Sequence, residues 1–302
     1  MSARNPISAA LLACFWVLLT SGCKTSLATE SAAVREQAVS EWLAYGGKDA
    51  ARYSPLKDIT RANVAQLEVA WTHRSGDFAD GYGDWAFTSL QVTPLVADQS
   101  LYYCTPFGRV FALDAQTGEE RWVFDPQVQN KRSGMYPAVC RGVSLWRDPE
   151  AQTGACRERI VYGTRDAQLI ALDAATGKPC KDFGDAGRVA LKEDITGAQP
   201  WEYYPTSPPY IIGNLAVVGA MVPDNERRDV PSGVVRAFDV RSGALVWAWE
   251  PVTAQYRERH ADELGNTRYH LGSPNVWAPI SGDPEAGLVY IPTGNPSPDL
   301  YG

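Results

Sequence analysis

The fold of this chain is predicted by one stretch of its sequence, VFALDAQTGEERW at residues 110–122. An apolar run leads into an Asp-x-x-Thr-Gly turn, and a second run follows and ends in tryptophan. The Asp114 carboxylate can accept hydrogen bonds from backbone N–H groups two or three residues on, and Gly118 can adopt a positive φ. The stretch therefore predicts two antiparallel strands joined by a tight turn.

The same pattern recurs twice, as LIALDAATG at 169–177 and VRAFDVRSGALVW at 235–247. A hairpin unit that recurs at long spacing is typical of a β-propeller with one blade per repeat. The three turns are farther apart than the roughly 40–50 residues of a bare blade, so insertions are expected. The predicted fold class is all-β, a β-propeller of four-stranded antiparallel blades.

About four blades are expected over residues 41–302, either as a complete small ring or as half of an eight-bladed one. Residues 67–74 alternate like an outer strand, and Trp122 and Trp247 are expected to be buried between blades. Long insertions are predicted at 125–158, 178–206 and 252–275. The other predicted strands are 90–96, 100–104, 109–114, 120–124, 159–163, 168–173, 211–212, 215–220, 233–239, 244–249 and 288–292.

Composition and charge narrow the class of protein. Of 302 residues, 45% are hydrophobic and 21% are charged, which is typical of a globular chain. The formal net charge is −7 and no basic stripe is present, so nucleic acid is not an expected partner.

Residues 1–22 are predicted to be a signal peptide that is not part of the fold. Arg4 precedes an apolar run at 9–19, which is too short for a spanning helix. The following LTSGC resembles a bacterial lipoprotein signal, with Cys23 as the lipidated residue; ordinary signal cleavage nearby is the alternative. Lys24 then implies retention at the outer membrane, facing the periplasm. Residues 23–40 are predicted to be a tether.

Four cysteines follow the expected lipidation site. An exported chain can keep disulfides, and Cys104–Cys140 with Cys156–Cys180 is the simplest of three connectivities. Zinc binding is the rival interpretation, but no C-x-x-C pair and no nearby histidine support it.

Several motifs together resemble the pyrroloquinoline-quinone (PQQ) dependent dehydrogenases, most closely the membrane-associated glucose, quinate and shikimate group. The resemblance runs from about Glu41 to Gly302, with the motifs in matching order. It implies half of an eight-bladed propeller. The motifs are WTHRSGD (71–77), QVTPL (91–95), CRGVSLW (140–146), TSPPYI (206–211), PDN (223–225), SPNVWAP (273–279) and PTGNPSPD (292–299).

The resemblance implies five cofactor-binding residues: Arg74, Gln91, Arg141, Thr206 and Trp277. Arg141 matches an arginine beside the quinone, Trp277 the ring on which PQQ lies, and Thr206 a hydroxyl that bonds the cofactor. Without the resemblance, the same residues would be a surface charge, an inter-blade tryptophan and a turn residue.

The resemblance also implies a metal site for Ca²⁺ or Mg²⁺, with Asp224, Asn225 and Asn295 as its ligands. Carboxylate and amide oxygens suit both cations. All three residues also lie in sequences that form turns in their own right.

Three departures qualify the resemblance. Pro137 stands where glucose-oxidising members carry a histidine, the adjacent Cys-Cys pair of methanol-type enzymes is missing, and so is the multi-helix membrane anchor. The family's general-base aspartate is expected beyond residue 302, so no catalytic residue is assigned within the chain.

Two functions remain open from the sequence. The first is PQQ-dependent oxidation of a sugar, polyol or cyclic hydroxy acid, with electrons passed to ubiquinone or another membrane acceptor. The alternative is a non-enzymatic propeller lipoprotein that acts as an outer-membrane assembly scaffold. The joint presence of Arg141, Thr206, Asp224, Trp277 and Asn295 favours the enzyme.

Overall fold

The computed structural model of the chain describes residues 41–47, 50–129, 131, 136–253, 255, 258 and 267–299. The predicted signal peptide, Cys23 and the tether lie outside these residues. Every strand belongs to one compact unit, residues 42–54 and 59–302. The second unit combines residues 1–41 with 55–58, and its described part contains no helix or strand. Among the described residues, no helix has the length and apolar character needed to cross a bilayer.

The unit consists of antiparallel sheets whose strands pair in sequence order. Three sheets have four strands each, and a fourth has two. The strands are β1 (Leu95–Ala97), β2 (Ser100–Cys104), β3 (Val110–Asp114), β4 (Glu120–Phe124), β5 (Ser144–Arg147), β6 (Glu158–Gly163), β7 (Gln168–Asp173), β8 (Arg188–Ala190), β9 (Tyr210–Ile212), β10 (Leu215–Val218), β11 (Val235–Asp239), β12 (Leu245–Trp249), β13 (Ser281–Asp283) and β14 (Leu288–Tyr290).

The predicted all-β propeller with four-stranded antiparallel blades is confirmed. Two of the predicted insertions, however, contain strands: β5 lies in 125–158 and completes the second blade at one edge, and β8 lies in 178–206 and completes it at the other. The predicted strand at 67–74 is wrong, because this segment is extended but pairs with no strand among the described residues. Trp71 and His73 lie against the first blade, whereas residues 67–70 are exposed.

The repeated turns have the predicted geometry. Asp114 Oδ1 accepts hydrogen bonds from the N–H groups of Gln116 and Thr117, both at 2.9 Å, and Gly118 has φ +75°. The turn at Asp239 repeats the arrangement, with donors at Arg241 (3.1 Å) and Ser242 (2.8 Å). Each hairpin is therefore closed by local hydrogen bonds that the sequence itself specifies.

Tryptophans contact two of the three repeated turns, whereas at the third a Cβ on Gly243 would meet Gly184 and Val189. The Trp122 indole at the end of the first blade donates to Ala174 O at 3.0 Å, and a Cβ on Gly177 would lie 2.5 Å from its ring. Trp71 repeats this contact on the first blade, where a Cβ on Gly118 would lie 2.5 Å from the indole. Only glycine fits beneath either ring.

Trp122 and Trp247, predicted to be buried between blades, are only half-buried. Trp122 lies across a turn at the blade edge rather than in the core. Trp247 packs against the residues between the third and fourth sheets and borders an open cavity.

The core fills the spaces between neighbouring sheets. On β6, Ile160 packs toward the first sheet and Val161 toward the third, as expected for alternate residues of a strand. Both are fully buried, so the second sheet is covered on both faces. The sheets therefore stabilise one another in series.

Two disulfides are present, and their connectivity is the one that the sequence favours. Cys104 at the end of β2 pairs with Cys140 just before β5, with 5.9 Å between the Cα atoms. Cys156 pairs with Cys180, with 5.8 Å between the Cα atoms. The first bridge ties the first blade to the entrance of the second.

The contact between Trp122 and Gly177 predicts a specific loss of stability. Gly177→Ala adds a Cβ against the indole at a φ of +70°, and we expect it to lower the free energy of unfolding by about 3 kcal/mol. Gly213→Ala is the control, because Gly213 has φ +56° but no atom within 4 Å of the added Cβ; it should cost about 1 kcal/mol. Urea unfolding measures both. Equal losses would show that backbone strain alone matters.

The Asp114 turn predicts a loss of stability in acid. Hydrogen bonds from Arg121 and from the N–H groups of Thr117 and Gln116 lower the pKa of Asp114 to about 2. Because this pKa is depressed in the folded state, the contribution is present above the ordinary value of 3.8 and is lost as the pH falls toward 2. Urea titrations between about pH 4 and about pH 2 should show a steeper loss for the wild type than for Asp114→Asn. Parallel losses would contradict the assignment.

Candidate cofactor site

Each sheet is entered through a segment that carries one of the predicted cofactor residues. Gln91 precedes β1, Arg141 precedes β5, Thr206 precedes β9 and Trp277 precedes β13. Each stands three or four residues before the first strand of its sheet. The four residues therefore occupy equivalent positions in successive blades.

Hydrogen bonds join these entrance segments in series. Thr93 N donates to Arg141 O, and Arg141 N donates to Thr206 O, both at 3.0 Å. The Thr206 hydroxyl then donates to Trp277 O at 3.0 Å, and Ser207 Oγ donates to the same carbonyl at 2.7 Å. The backbone is thus fixed from blade to blade, while the side chains of Gln91, Arg141 and Trp277 are left for the cavity.

A cavity of about 280 Å³ opens between these segments. It contains five of the predicted residues: Gln91, Arg141, Thr206, Asp224 and Trp277. Its other lining residues are Tyr136, Pro137, Val139, Tyr204, Met221, Val222 and Asn275. The cavity therefore combines a cation, a carboxylate and a partly apolar wall.

Arg141 and Trp277 form the cationic side of the cavity. The guanidinium carbon lies 5.1 Å from the Trp277 ring centroid. Arg141 Nη1 is buried and has no hydrogen-bond partner among the described residues, and burial lowers the pKa of this guanidinium from its ordinary value. The Trp277 side chain is nevertheless 45% exposed. A buried donor without an acceptor beside an open aromatic face suits a flat anionic ligand.

Two glycines bring the Trp277 loop into place. A Cβ on Gly219 would lie 2.2 Å from Val276 O, and one on Gly233 would lie 2.1 Å from Pro274 O. Both contacts are with backbone, so neither position tolerates a side chain. The loop thereby lies directly on the third sheet, and Val276 N donates to Ala220 O at 3.2 Å.

Asn275 is a cavity residue that sequence reasoning did not single out. Its Nδ2 donates to Val222 O at 2.8 Å and to Asp224 Oδ2 at 3.3 Å. Its Oδ1 is buried without a partner among the described residues. The only signal in the sequence is its place two residues before Trp277 in SPNVWAP. Asp224 and Asn275 together bring carboxylate and amide oxygens to one wall.

Three predicted residues do not line the cavity. Arg74 is exposed. Asn225 is exposed and lies within 3.5 Å of Asp224 Oδ1, whereas the Asn295 amide donates to Asp299. The loop that carries Asn295 nevertheless contacts Asp224, the predicted metal ligand, because Asp299 N donates to Asp224 O at 3.0 Å.

The buried Nη1 atom of Arg141 predicts a gain in stability when this side chain is replaced. Arg141→Met eliminates an unpaired buried donor and keeps the backbone bonds, so we expect the free energy of unfolding in the absence of ligand to rise by about 1 kcal/mol. Arg159→Met is the control, since this buried arginine donates to Val240 O (3.1 Å) and Arg241 O (2.9 Å) and pairs with Asp182. It should destabilise. Loss of stability in both variants would make Arg141 a structural residue. Thermal unfolding distinguishes the cases.

Known proteins show the same sequence pattern and fold. The chain is 37% identical over 292 residues to Quinoprotein glucose dehydrogenase A of Acinetobacter calcoaceticus, covering 92% of this chain and 36% of that protein. It is 35% identical over 277 residues to Quinate/shikimate dehydrogenase (quinone) of Acinetobacter baylyi, covering 85% of this chain and 33% of that protein. It therefore spans about a third of the length of these curated relatives.

A solved structure supports the same assignment. Quinohemoprotein alcohol dehydrogenase from Comamonas testosteroni matches with a TM-score of 0.65 at 26% identity, covering 85% of this chain and 36% of that one. The sequence family described as "PQQ: Glucose/ethanol/alcohol dehydrogenase, beta-propeller domain" matches residues 42–302. The chain belongs to this family of PQQ β-propeller dehydrogenase domains.

Proposed function

We propose that this chain serves the PQQ-dependent oxidation of a CH–OH group in a sugar, polyol or cyclic hydroxy acid, with electrons passed to ubiquinone or another membrane acceptor. One observation carries the proposal: the entrance segments of successive blades converge on a cavity where a buried, unpaired Arg141 donor lies beside a half-exposed Trp277. A polyanionic planar cofactor would supply the acceptor that this donor lacks.

The cavity residues fit PQQ, a planar tricarboxylate with an ortho-quinone. Arg141 would bind one of its anionic or quinone oxygens, and Trp277 would contact a face of the ring. Gln91 and Thr206 offer further hydrogen bonds without adding charge, and Thr206 Oγ1 can still accept one while it donates to Trp277 O. When bound, PQQ supplies the quinone that accepts hydride from the alcohol carbon.

The cavity wall formed by Asp224 and Asn275, called the polar wall below, suits a hard divalent cation, Ca²⁺ or Mg²⁺. Asp224 lies there with the Asn275 amide, and Asn225 and Asn295 belong to the adjoining loops. The Asp224 carboxylate would hold the cation, so it is proposed as a ligand and not as the general base. No described residue is assigned the role of the base.

The substrate class stays broad because of Pro137. It lines the cavity, and its ring cannot donate a hydrogen bond to a sugar hydroxyl. Polyols and cyclic hydroxy acids are therefore kept beside sugars. Lipid anchoring through Cys23 and a periplasmic, outer-membrane location complete the proposal and rest on the sequence alone.

A scaffold function is disfavoured by the cost of the site. A buried polar atom without a partner costs about 1–3 kcal/mol, and a ligand in the cavity would recover that cost at Arg141 Nη1, which lies beside the exposed Trp277 ring. Arg141 Nη1 and Asn275 Oδ1 are two such atoms at one cavity.

Calorimetric titration with PQQ tests the proposal. We expect the wild type to bind PQQ more tightly with Ca²⁺ than without it, with quenching of Trp277 fluorescence. Asp224→Ala should remove the Ca²⁺ dependence, and Arg141→Met should weaken PQQ binding by about tenfold or more, since a lost charge-assisted hydrogen bond costs at least about 1.4 kcal/mol. Trp122→Phe, outside the cavity, should keep the quenching.

Two results would contradict the proposed PQQ and metal binding. Absence of PQQ binding by the wild type would reject the cofactor assignment. Tight binding that is independent of metal would return Asp224, Asn225 and Asn295 to the role of turn residues.

A further inference from the structure

An ion pair between Glu202 and Arg227 lies close in sequence to residues that line the cavity. Glu202 is only 1% exposed, and Arg227 binds it through both carboxylate oxygens, with Nε to Oε1 at 3.1 Å and Nη2 to Oε2 at 2.6 Å. Gln199 N also donates to Oε2, at 2.8 Å. The Glu202 carboxylate is therefore satisfied on both oxygens and held in one orientation.

This pair joins the two segments that carry site residues. Glu202 lies four positions before Thr206, and Arg227 lies three positions after Asp224. Arg227 also donates to Asp229 O at 2.6 Å and to Gly197 O at 3.0 Å. One guanidinium thus fixes the loop that follows Asp224 against the segment that leads to Thr206.

A second contact holds the same loop from the other side. Ser297 Oγ lies 3.0 Å from Asp224 O and 2.6 Å from Arg227 O, so its single proton can be donated to either carbonyl. The backbone from Asp224 to Arg227 is therefore held at both ends, and the Asp224 carboxylate has two amide partners, Asn275 at 3.3 Å and Asn225 at 3.5 Å.

Stability alone does not explain the pair. Burial costs the Glu202 carboxylate its hydration, whereas the Arg227 side chain is 31% exposed, so the pair gains little over apolar residues of similar volume. Arg227 donates to both carboxylate oxygens of Glu202. Arg227 thereby offsets the Glu202 charge, and Asp224 remains the carboxylate that faces the cavity.

We propose that Glu202 and Arg227 are positioning residues that orient Asp224 for a divalent cation. This inference rests on the proposed function, since it assumes that the polar wall holds a metal. The pair acts through the 224–227 backbone and does not contact the metal. Partners behind a ligand typically change metal affinity by about 10–100-fold when they are mutated.

The test uses the intact protein mixed with PQQ, titrated with Ca²⁺ and followed by calorimetry. Arg227→Lys keeps the charge but loses the two-pronged contact, and it should weaken Ca²⁺ binding by about tenfold or more. The matched control is Arg241→Lys, because Arg241 also grips a carboxylate with two nitrogens, at 2.9 and 2.6 Å on Asp148, and does not line the cavity. It should change Ca²⁺ affinity by less than about twofold.

The double variant separates positioning from general stability. If Arg227 acts through Asp224, Arg227→Lys should have no further effect on Ca²⁺ affinity in an Asp224→Ala background. If Arg227→Lys does not fold by circular dichroism, Glu202→Gln replaces it, and the same loss is expected.

Two outcomes overturn the inference in different ways. Wild-type Ca²⁺ affinity in the Arg227 or Glu202 variant, with loss in Asp224→Ala, would reject positioning and leave the metal site intact. Unchanged affinity in Asp224→Ala would reject the metal site, and the positioning role with it.

Discussion

The hydrogen bonds between blade entrances are the interaction on which the site depends. Thr93 N binds Arg141 O, Arg141 N binds Thr206 O, and the Thr206 hydroxyl binds Trp277 O, each at 3.0 Å. The first two bonds join backbone atoms only, and the third joins the Thr206 side chain to a backbone carbonyl. The scaffold and the chemistry are therefore carried by different atoms of the same residues, and the side chains at Arg141 and Trp277 can serve a ligand without weakening the ring of blades.

The side chains at this site are poorly satisfied in the protein alone. Arg141 Nη1 and Asn275 Oδ1 are buried without partners, and Trp277 keeps a large exposed face. Arg159, by contrast, has four acceptors, and Glu202 accepts three hydrogen bonds. Other buried polar atoms without a partner among the described residues, such as Tyr162 Oη and Tyr269 Oη, lie outside the cavity, but those of Arg141 and Asn275 lie beside an exposed aromatic face, where a ligand would complete their contacts.

Structure that depends on neighbouring residues could be predicted from the sequence, whereas contacts between distant segments could not. The Asp-x-x-Thr-Gly hairpins were predictable because each turn makes its own hydrogen bonds. Strands β5 and β8 were not, since three or four residues between long loops carry little periodicity. Residues 67–74 alternate in sequence like a strand, but in the structure Trp71 and His73 lie against the first blade and residues 67–70 are exposed. Asn275 could not be identified from the sequence, because its contacts with Val222 and Asp224 join segments that are distant in the chain. Asn295 was predicted beside Asp224, but its amide binds the nearby Asp299 instead.

The packing of Trp122 on Gly177 limits where two related chains can be joined to make a folded hybrid protein. Trp122 lies on the last strand of the first sheet, but Gly177, on which its ring packs, belongs to a turn of the second sheet. The segment that must be exchanged as one piece therefore does not coincide with a single sheet. A chimaera that exchanges one sheet alone joins a tryptophan from one parent to a turn from another. Crossovers placed just before a tryptophan and just after the following glycine turn keep the ring and that glycine together, so they should yield folded hybrids more often than cuts at blade boundaries.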